Sequence, residues 1–279
     1  MKVLVTGAKG QLGIDVVNEL AARDIPHVGV DVGDFDISNM DAVFAAFHTH
    51  SPTAVIHCAA YTAVDKAEDE PELCRLVNEV GTRNIAEACR DAGAKLLYIS
   101  TDYVFPGHGD HFHLPDDPTG PVSVYGETKL AGEKAVLEIL DKYFIVRISG
   151  VYGVHGHNFV KTMLRLAKDR DSINVVCDQV GSTTYTSDLA HLLCQIIASE
   201  KYGIFHATNE GTCSWAEFAE EIFRLTRLPV TVNHIPSSQY PTKARRPHNF
   251  RLDKSCLDDA GFQRLPHWKD ALKDFLHRI

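Results

Sequence analysis

Lys2-Val-Leu-Val-Thr6, followed at once by Gly7-Ala-Lys-Gly10-Gln-Leu-Gly13, is the stretch that decides the fold. The first five residues are mostly apolar and β-branched, which suits a short buried strand. Glycine then recurs at every third position, and a helical apolar pattern runs from Ile14 to Arg23. Strand, glycine turn and helix in that order form a dinucleotide-binding unit. Gly7, Gly10 and Gly13 let the chain turn tightly, let backbone approach a pyrophosphate and let the helix pack close to the strand. The helix start faces the phosphates with unpaired N–H groups and the positive end of its dipole.

The alternation continues outward from that turn. His27-Val-Gly-Val-Asp31 reads as a second strand, ending in a carboxylate eighteen residues past Gly13. That is close to the ~20 residues expected for an acid that binds the adenosine ribose. No arginine stands beside Asp31 to meet a 2′-phosphate, so NADH is slightly favoured over NADPH. Asp34-Phe-Asp36-Ile37 leads into a helix ending near Ser51. Ala54-Val-Ile-His57 is a third strand, and Cys58-Ala-Ala-Tyr61 is a small-residue turn over which a cofactor can lie. A helix over 73–92 and the strand Lys95–Ile99 complete the next unit. Ser100 and Thr101 then fall at a strand's carboxyl end, where open parallel sheets bind ligands. A long aperiodic loop from Tyr103 to Val122 precedes a helix running to about Asp141, and Tyr143–Ile148 is a further buried strand. This pattern predicts an α/β, Rossmann-type doubly wound parallel sheet over residues 1–150.

After residue 150 the pattern loosens. Helices are expected over 158–170 and 186–199, and strands over 173–176, 203–206 and 230–235. Ser214-Trp-Ala-Glu217 is a capping box opening a helix to Thr226, and Pro241–Pro247 is a basic loop. Short helices close the chain over 254–260 and 268–277. No composition break marks a linker, so residues 151–279 read as a smaller substrate-binding lobe interwoven with the sheet.

The chemistry is written in Tyr125-Gly-Glu-Thr-Lys129, read together with Ser100-Thr101-Asp102-Tyr103. On a helix Tyr125 and Lys129 share one face. A free phenol has a pKa of about 10, and a neighbouring ammonium favours its ionised form. Thr101 adds a hydroxyl, completing the parts for proton transfer at an alcohol or carbonyl oxygen.

Composition narrows the class. A formal charge of −9, with no lysine- or arginine-rich run, argues against a nucleic-acid partner. No apolar run reaches the roughly 18 residues of a membrane span. The apolar strand at Lys2 leaves no room for a signal peptide, so a cytoplasmic location is expected. The 7 cysteines are scattered without a C-x-x-C, which favours reduced thiols. His108, His111 and His113 cluster in the long loop, but no metal site is expected from them.

These motifs together resemble the extended short-chain dehydrogenase/reductase superfamily, and within it the dTDP-4-dehydrorhamnose reductases. Gly10-Gln-Leu-Gly13, Cys58–Glu68, Ser100–Phe105, Tyr125–Glu133, Asn158–Met163, Cys213-Ser-Trp215 and Ala244–Pro247 carry the likeness across nearly the whole chain. The resemblance implies Thr101, Tyr125 and Lys129 as the catalytic set. It implies dinucleotide contacts from Gly10, Gln11, Leu12, Asp36, Ile37, Ala59, Ala60 and Tyr61, with Tyr125 and Lys129 at the nicotinamide ribose. Thr101 and Asp102 would touch the nucleotide-sugar, and Arg245 and Arg246 suit its diphosphate. The implied reaction is NAD(P)H-dependent reduction of a nucleotide-linked 4-keto-6-deoxy sugar. A sugar epimerase with tightly held NAD and a dinucleotide-binding regulatory subunit without turnover are the alternatives. Some relatives dimerise around magnesium, whose carboxylates have no assignable counterpart here, so both monomer and homodimer remain open.

Three departures fall in the substrate half. The family's usual Thr-Ser-Trp-Val-Tyr-Gly is Ile148-Ser-Gly-Val-Tyr-Gly153, placing Gly150 where a substrate-contacting tryptophan is usual. The usual Gly-Ser-Pro-Thr is Gly181-Ser-Thr-Thr184, and a usual serine is Phe250. A more open pocket beside the sugar is expected at Gly150, one that tryptophan at this position would close.

Overall fold

A computed structural model describes residues 1–279. Five parallel strands, β1 (Val3–Thr6), β2 (His27–Val30), β3 (Ala54–His57), β4 (Lys95–Thr101) and β5 (Tyr143–Ile148), are joined by a late one, Gly203–His206. Across the sheet they lie in the order Gly203–His206, β5, β4, β3, β1, β2. The chain winds from β1 out to β2, then returns to build the other side from β3. The order therefore reverses between β1 and β3, and the crevice for ligands opens at the carboxyl ends there.

The helices follow in step. In the first half they are α1 (Gln11–Ala22), α2 (Met40–His50), the short α3 (Val64–Ala67) and α4 (Pro71–Arg75), α5 (Thr82–Ala92) and α6 (Val124–Ile139). The second half adds α7 (Phe159–Leu166), α8 (Thr186–Ala198) and α9 (Trp215–Thr226). Because side chains alternate along a strand, Val3 and Val5 enter one core with α1 and α8, while Leu4 enters the other with α2, α5 and α6. Both faces are thus covered, which explains why these strands are apolar throughout. The strand Gly203–His206 and α8 come from the second half yet complete the first half's sheet. A third core, with Tyr152, Tyr185, Phe218, Trp268 and Phe275, lies among α7, α9 and the helix Trp268–His277. The strands Ser172–Val176 and Thr231–Ile235 pair in parallel beside it.

Some boundaries differ from expectation. The helix expected over 73–92 is broken by a π-helical stretch, Leu76–Gly81, between α4 and α5. That wide turn carries the buried Asn78, whose amide serves the site described below. The helix expected to 170 ends at Leu166, since Lys168-Asp-Arg-Asp171 has no apolar side to bury. The capping box is present: Glu217 N–H donates to Ser214 Oγ at 3.2 Å, and Ser214 N–H to Glu217 Oε2 at 2.7 Å. No helix is long and apolar enough to cross a membrane.

Candidate active site

The carboxyl ends of the strands open into one cleft of about 1620 Å³. Gly7, Gly10, Gln11, Leu12, Gly13, Asp31, Asp36, Ile37, Ala59, Ala60 and Tyr61 line it. So do Thr101, Asp102, Tyr125, Lys129, Gly150 and Arg246, so the sequence-derived residues converge on a single space.

At the glycine turn the backbone itself is the surface. Gly7 holds φ +66°, and a Cβ there would lie 2.7 Å from Ala59 N. A Cβ on Gly13 would overlap Gly7 O, so only glycine lets α1 start this close to β1. The start of α1 has neither a side-chain cap nor an acidic residue in its first turn. Its first N–H groups are free to meet an anion, and the donor set fits a dinucleotide diphosphate. At the far end, the Asp31 carboxylate accepts from Lys9 N–H and Val32 N–H, each at 2.9 Å. Lys9 lines the same cleft. Asn84 Nδ2 donates to Ile37 O at 2.9 Å, holding that backbone against α5.

Asn78 joins the two ends of the site. Its Oδ1 accepts from Tyr61 N–H at 2.8 Å, and its Nδ2 donates to Tyr61 O at 3.1 Å and to Thr128 Oγ1 at 3.2 Å. One buried amide thus fixes the small-residue turn after β3 to α6, between Tyr125 and Lys129. Nothing in a helical apolar pattern marks such a residue, because its role depends on where the π turn points it.

Thr101 ends β4, donating from Oγ1 to Asp102 Oδ1 at 3.1 Å and accepting from Tyr103 N–H at 3.2 Å. Tyr125 stands on the first turn of α6, which Ser123 caps by accepting from Gly126 N–H at 3.2 Å. Burial pushes its phenol well above the ordinary range. The Asp102 carboxylate adds to that, and the Thr101 hydroxyl opposes it. Burial likewise raises Asp102 to about 7, again opposed by Thr101. Lys129 donates to Ile99 O at 2.6 Å, with its Nζ 4.1 Å from the centre of the Tyr98 ring. Burial pulls it down to about 7.

The expected lowering of the phenol by the ammonium is therefore corrected. Lys129 points at a carbonyl and a ring face, and burial, the largest influence on Tyr125, raises the phenol instead. One turn further on, the buried Glu133 accepts from Ser100 Oγ at 2.5 Å and from Arg147 Nη2 at 2.8 Å. Arg147 also donates to Pro115 O at 2.9 Å, so one ion pair ties α6 to β4, β5 and the long loop.

The substrate half differs more from expectation. Arg246 lines the cleft but donates to Asp65 Oδ2 at 2.6 Å, while its buried Nε has no partner. Arg245 is exposed and outside the cleft, so the two arginines do not act as a pair. Sequence reading passed over Arg170, which does line the cleft and belongs to no motif. It also left Asn158 without a role. Asn158 Nδ2 donates to Gln11 Oε1 at 2.9 Å, linking α7's start to the glycine turn.

Gly150 holds φ +54°, and a Cβ there would lie 3.2 Å from Thr183 Cα and 3.3 Å from its Cγ2. A side chain at 150 is strained and starts against Thr183, which corrects the expectation that tryptophan simply refills this position. Phe250 does not fill the space either. It is buried against Gly181 and stacks on Trp215 with ring centres 5.7 Å apart, backing a residue that lines the cleft.

Comparison with known proteins gives consistent results. The model of the family described as "RmlD substrate binding domain" matches residues 1–279. A dTDP-4-dehydrorhamnose reductase of Streptomyces griseus is 45% identical over 278 residues, covering 97% of this chain and 91% of the relative. That of Escherichia coli is 40% identical, covering 100% and 98%. The crystal structure of dTDP-4-dehydrorhamnose reductase from Bacillus anthracis in complex with NADP superposes with a TM-score of 0.97. It is 41% identical, covering 100% of this chain and 99% of that one.

Proposed function

This chain belongs to the RmlD family, that of the dTDP-4-dehydrorhamnose reductases, and on that footing we propose that it reduces the C4 keto group of dTDP-4-dehydro-6-deoxy-L-mannose to give dTDP-L-rhamnose. The observation that carries the reading is the meeting of Thr101, Tyr125 and Lys129 with the glycine turn in one cleft. NADH or NADPH supplies the hydride when bound. Gly7, Gly10, Gln11, Leu12 and Gly13 would hold its diphosphate, and Asp31, Asp36 and Ile37 its adenosine end. Ala59, Ala60 and Tyr61 would flank it, with Tyr125 and Lys129 at the nicotinamide ribose. Both cofactors are accepted on this reading, since Asp31 suits a free ribose hydroxyl and Lys9 offers charge to a 2′-phosphate.

Tyr125 keeps its proton at neutral pH because burial disfavours the phenolate, and it delivers that proton to the forming C4 alkoxide. Thr101 orients the carbonyl from beside the phenol. Asp102 contacts the sugar, Gly150 forms the wall beside it, and Arg246 and Arg170 meet the diphosphate. Residues 151–279 act as the substrate lobe, and a cytoplasmic location fits the substrate.

The test is a coupled assay with dTDP-glucose, a dehydratase and an epimerase, following oxidation of NADH or NADPH. Oxidation that depends on all three additions is expected. Oxidation absent with both cofactors overturns the reading, as does a purified protein that carries its own NAD and interconverts sugars with no cofactor added.

A further inference from the structure

His111, His113 and Asp117 lie in the long loop between β4 and α6, away from the cleft just described. The sequence presents three spaced histidines there. The fold drops His108 from the group and brings in Asp117 instead. His111 Nε2 lies 3.8 Å from Asp117 Oδ2, and His113 Nδ1 lies 3.7 Å from the same oxygen. All three ligand atoms fall within 4.8 Å of one another. Ligand atoms bonded tetrahedrally to zinc at about 2.1 Å stand about 3.4 Å apart, so the triangle is slightly open.

Two of the three side chains are held in place before any ion arrives. His113 is 4% exposed and stacks on Phe105 with ring centres 4.4 Å apart and planes 4° from parallel. Its backbone is tied on both sides, by His113 N–H to Arg251 O at 2.9 Å and Asp253 N–H to His113 O at 2.8 Å. Asp117 Oδ2 accepts from Leu114 N–H at 2.9 Å. His111 is the exposed member, its side chain 60% exposed and its ring edge-on to that of His113 with centres 4.7 Å apart.

The geometry points to a binding site for a single borderline-soft divalent cation, zinc above all, held by His111, His113 and Asp117 with water in the fourth position. Two imidazoles and one carboxylate suit zinc, whereas magnesium and calcium call for more oxygen ligands. The bound ion closes the loop over Phe105. It also steadies Pro115, whose carbonyl receives the Arg147 guanidinium, without entering the cleft.

The experiment uses the full-length chain, stripped with a chelator and dialysed, and titrated calorimetrically with zinc chloride. One equivalent binding in the micromolar range or tighter is expected. His111→Ala and Asp117→Asn should each weaken that event by about tenfold or more. Zinc at a fixed concentration should raise the melting temperature of the parent more than that of either variant, with magnesium inert toward all three. Neither position is in the core, and equal melting temperatures in chelator exclude misfolding as the cause of lost binding. Cobalt in place of zinc should show d–d bands without a thiolate charge-transfer band. The proposal is overturned by absence of micromolar binding, by equal binding in parent and variants, or by a thiolate band placing the metal on a cysteine.

Discussion

The glycine turn after β1 and the wall around Gly150 both line the cleft, and both place glycine at positive φ. At the turn, a Cβ on Gly13 or Gly7 would meet backbone atoms of neighbouring segments, which cannot move without dislodging β1 or β3. At Gly150 the obstacles are Thr183 Cα at 3.2 Å and its methyl at 3.3 Å, looser than the contacts at the turn. At the glycine turn the lining is backbone, and an added side chain has no room. Around Gly150 the lining comes from side chains on separate segments, among them Asn158, Arg170, Trp215 and Arg246. Thr184 N–H donates to Gly150 O at 3.2 Å, so any side chain added at 150 would press on Thr183.

Tyr125→Phe bears on what both halves serve and carries the largest expected effect. It keeps the ring and removes the proton, so turnover should fall ~10²–10⁴-fold while dinucleotide binding persists. Near-normal turnover would remove Tyr125 from the chemistry.

Gly13→Ala tests the backbone half. Overpacking of this kind costs about 1–3 kcal/mol, or roughly tenfold to a hundredfold in dinucleotide affinity. If titration shows affinity unchanged, the close approach of α1 to the turn does not matter for binding.

Gly150→Trp tests the side-chain half. With left-handed backbone strain of about 1–2 kcal/mol and Thr183 in the way, KM for the nucleotide-sugar should rise about tenfold. Adding Thr183→Pro, the family's usual residue, should recover part of the loss. A KM lowered by Gly150→Trp alone would mean the wall is softer than its contacts indicate.

A fourth outcome concerns pH. Burial raises Asp102 from 3.8 to about 7, so the folded protein holds this proton more tightly than the unfolded chain does. The stability so contributed is full below the unfolded value and is lost as pH rises through the folded one. Denaturation of the cofactor-free protein at about pH 5 and about pH 8 should therefore show a decline that is smaller in Asp102→Asn. Identical declines would mean that Asp102 is solvated.

The smallest effect belongs to Asp31→Ala. Removing the carboxylate while Lys9 remains should move the kcat/KM ratio a few-fold toward NADPH. A ratio that stays put would place cofactor choice elsewhere along the adenosine end.

The sheet, its parallel sense and the glycine turn were legible in the chain because their signals are local. A strand, a glycine turn and a helix start are contiguous, and the backbone they shape itself lines the cleft. Tyr125 and Lys129 share a face by helical spacing alone. The tertiary structure decided what depends on distant segments meeting. It turned Lys129 onto Ile99 O and the Tyr98 ring, because β4 passes beneath α6. It set Asn78 between Tyr61 and Thr128, paired Arg246 with Asp65, and sent Gly203–His206 and α8 back to complete the first half's sheet. It also chose Asp117 over His108 as the companion of His111 and His113. Local propensity is additive along the chain, whereas burial and side-chain contact are properties of pairs far apart in it, and those only packing can assign.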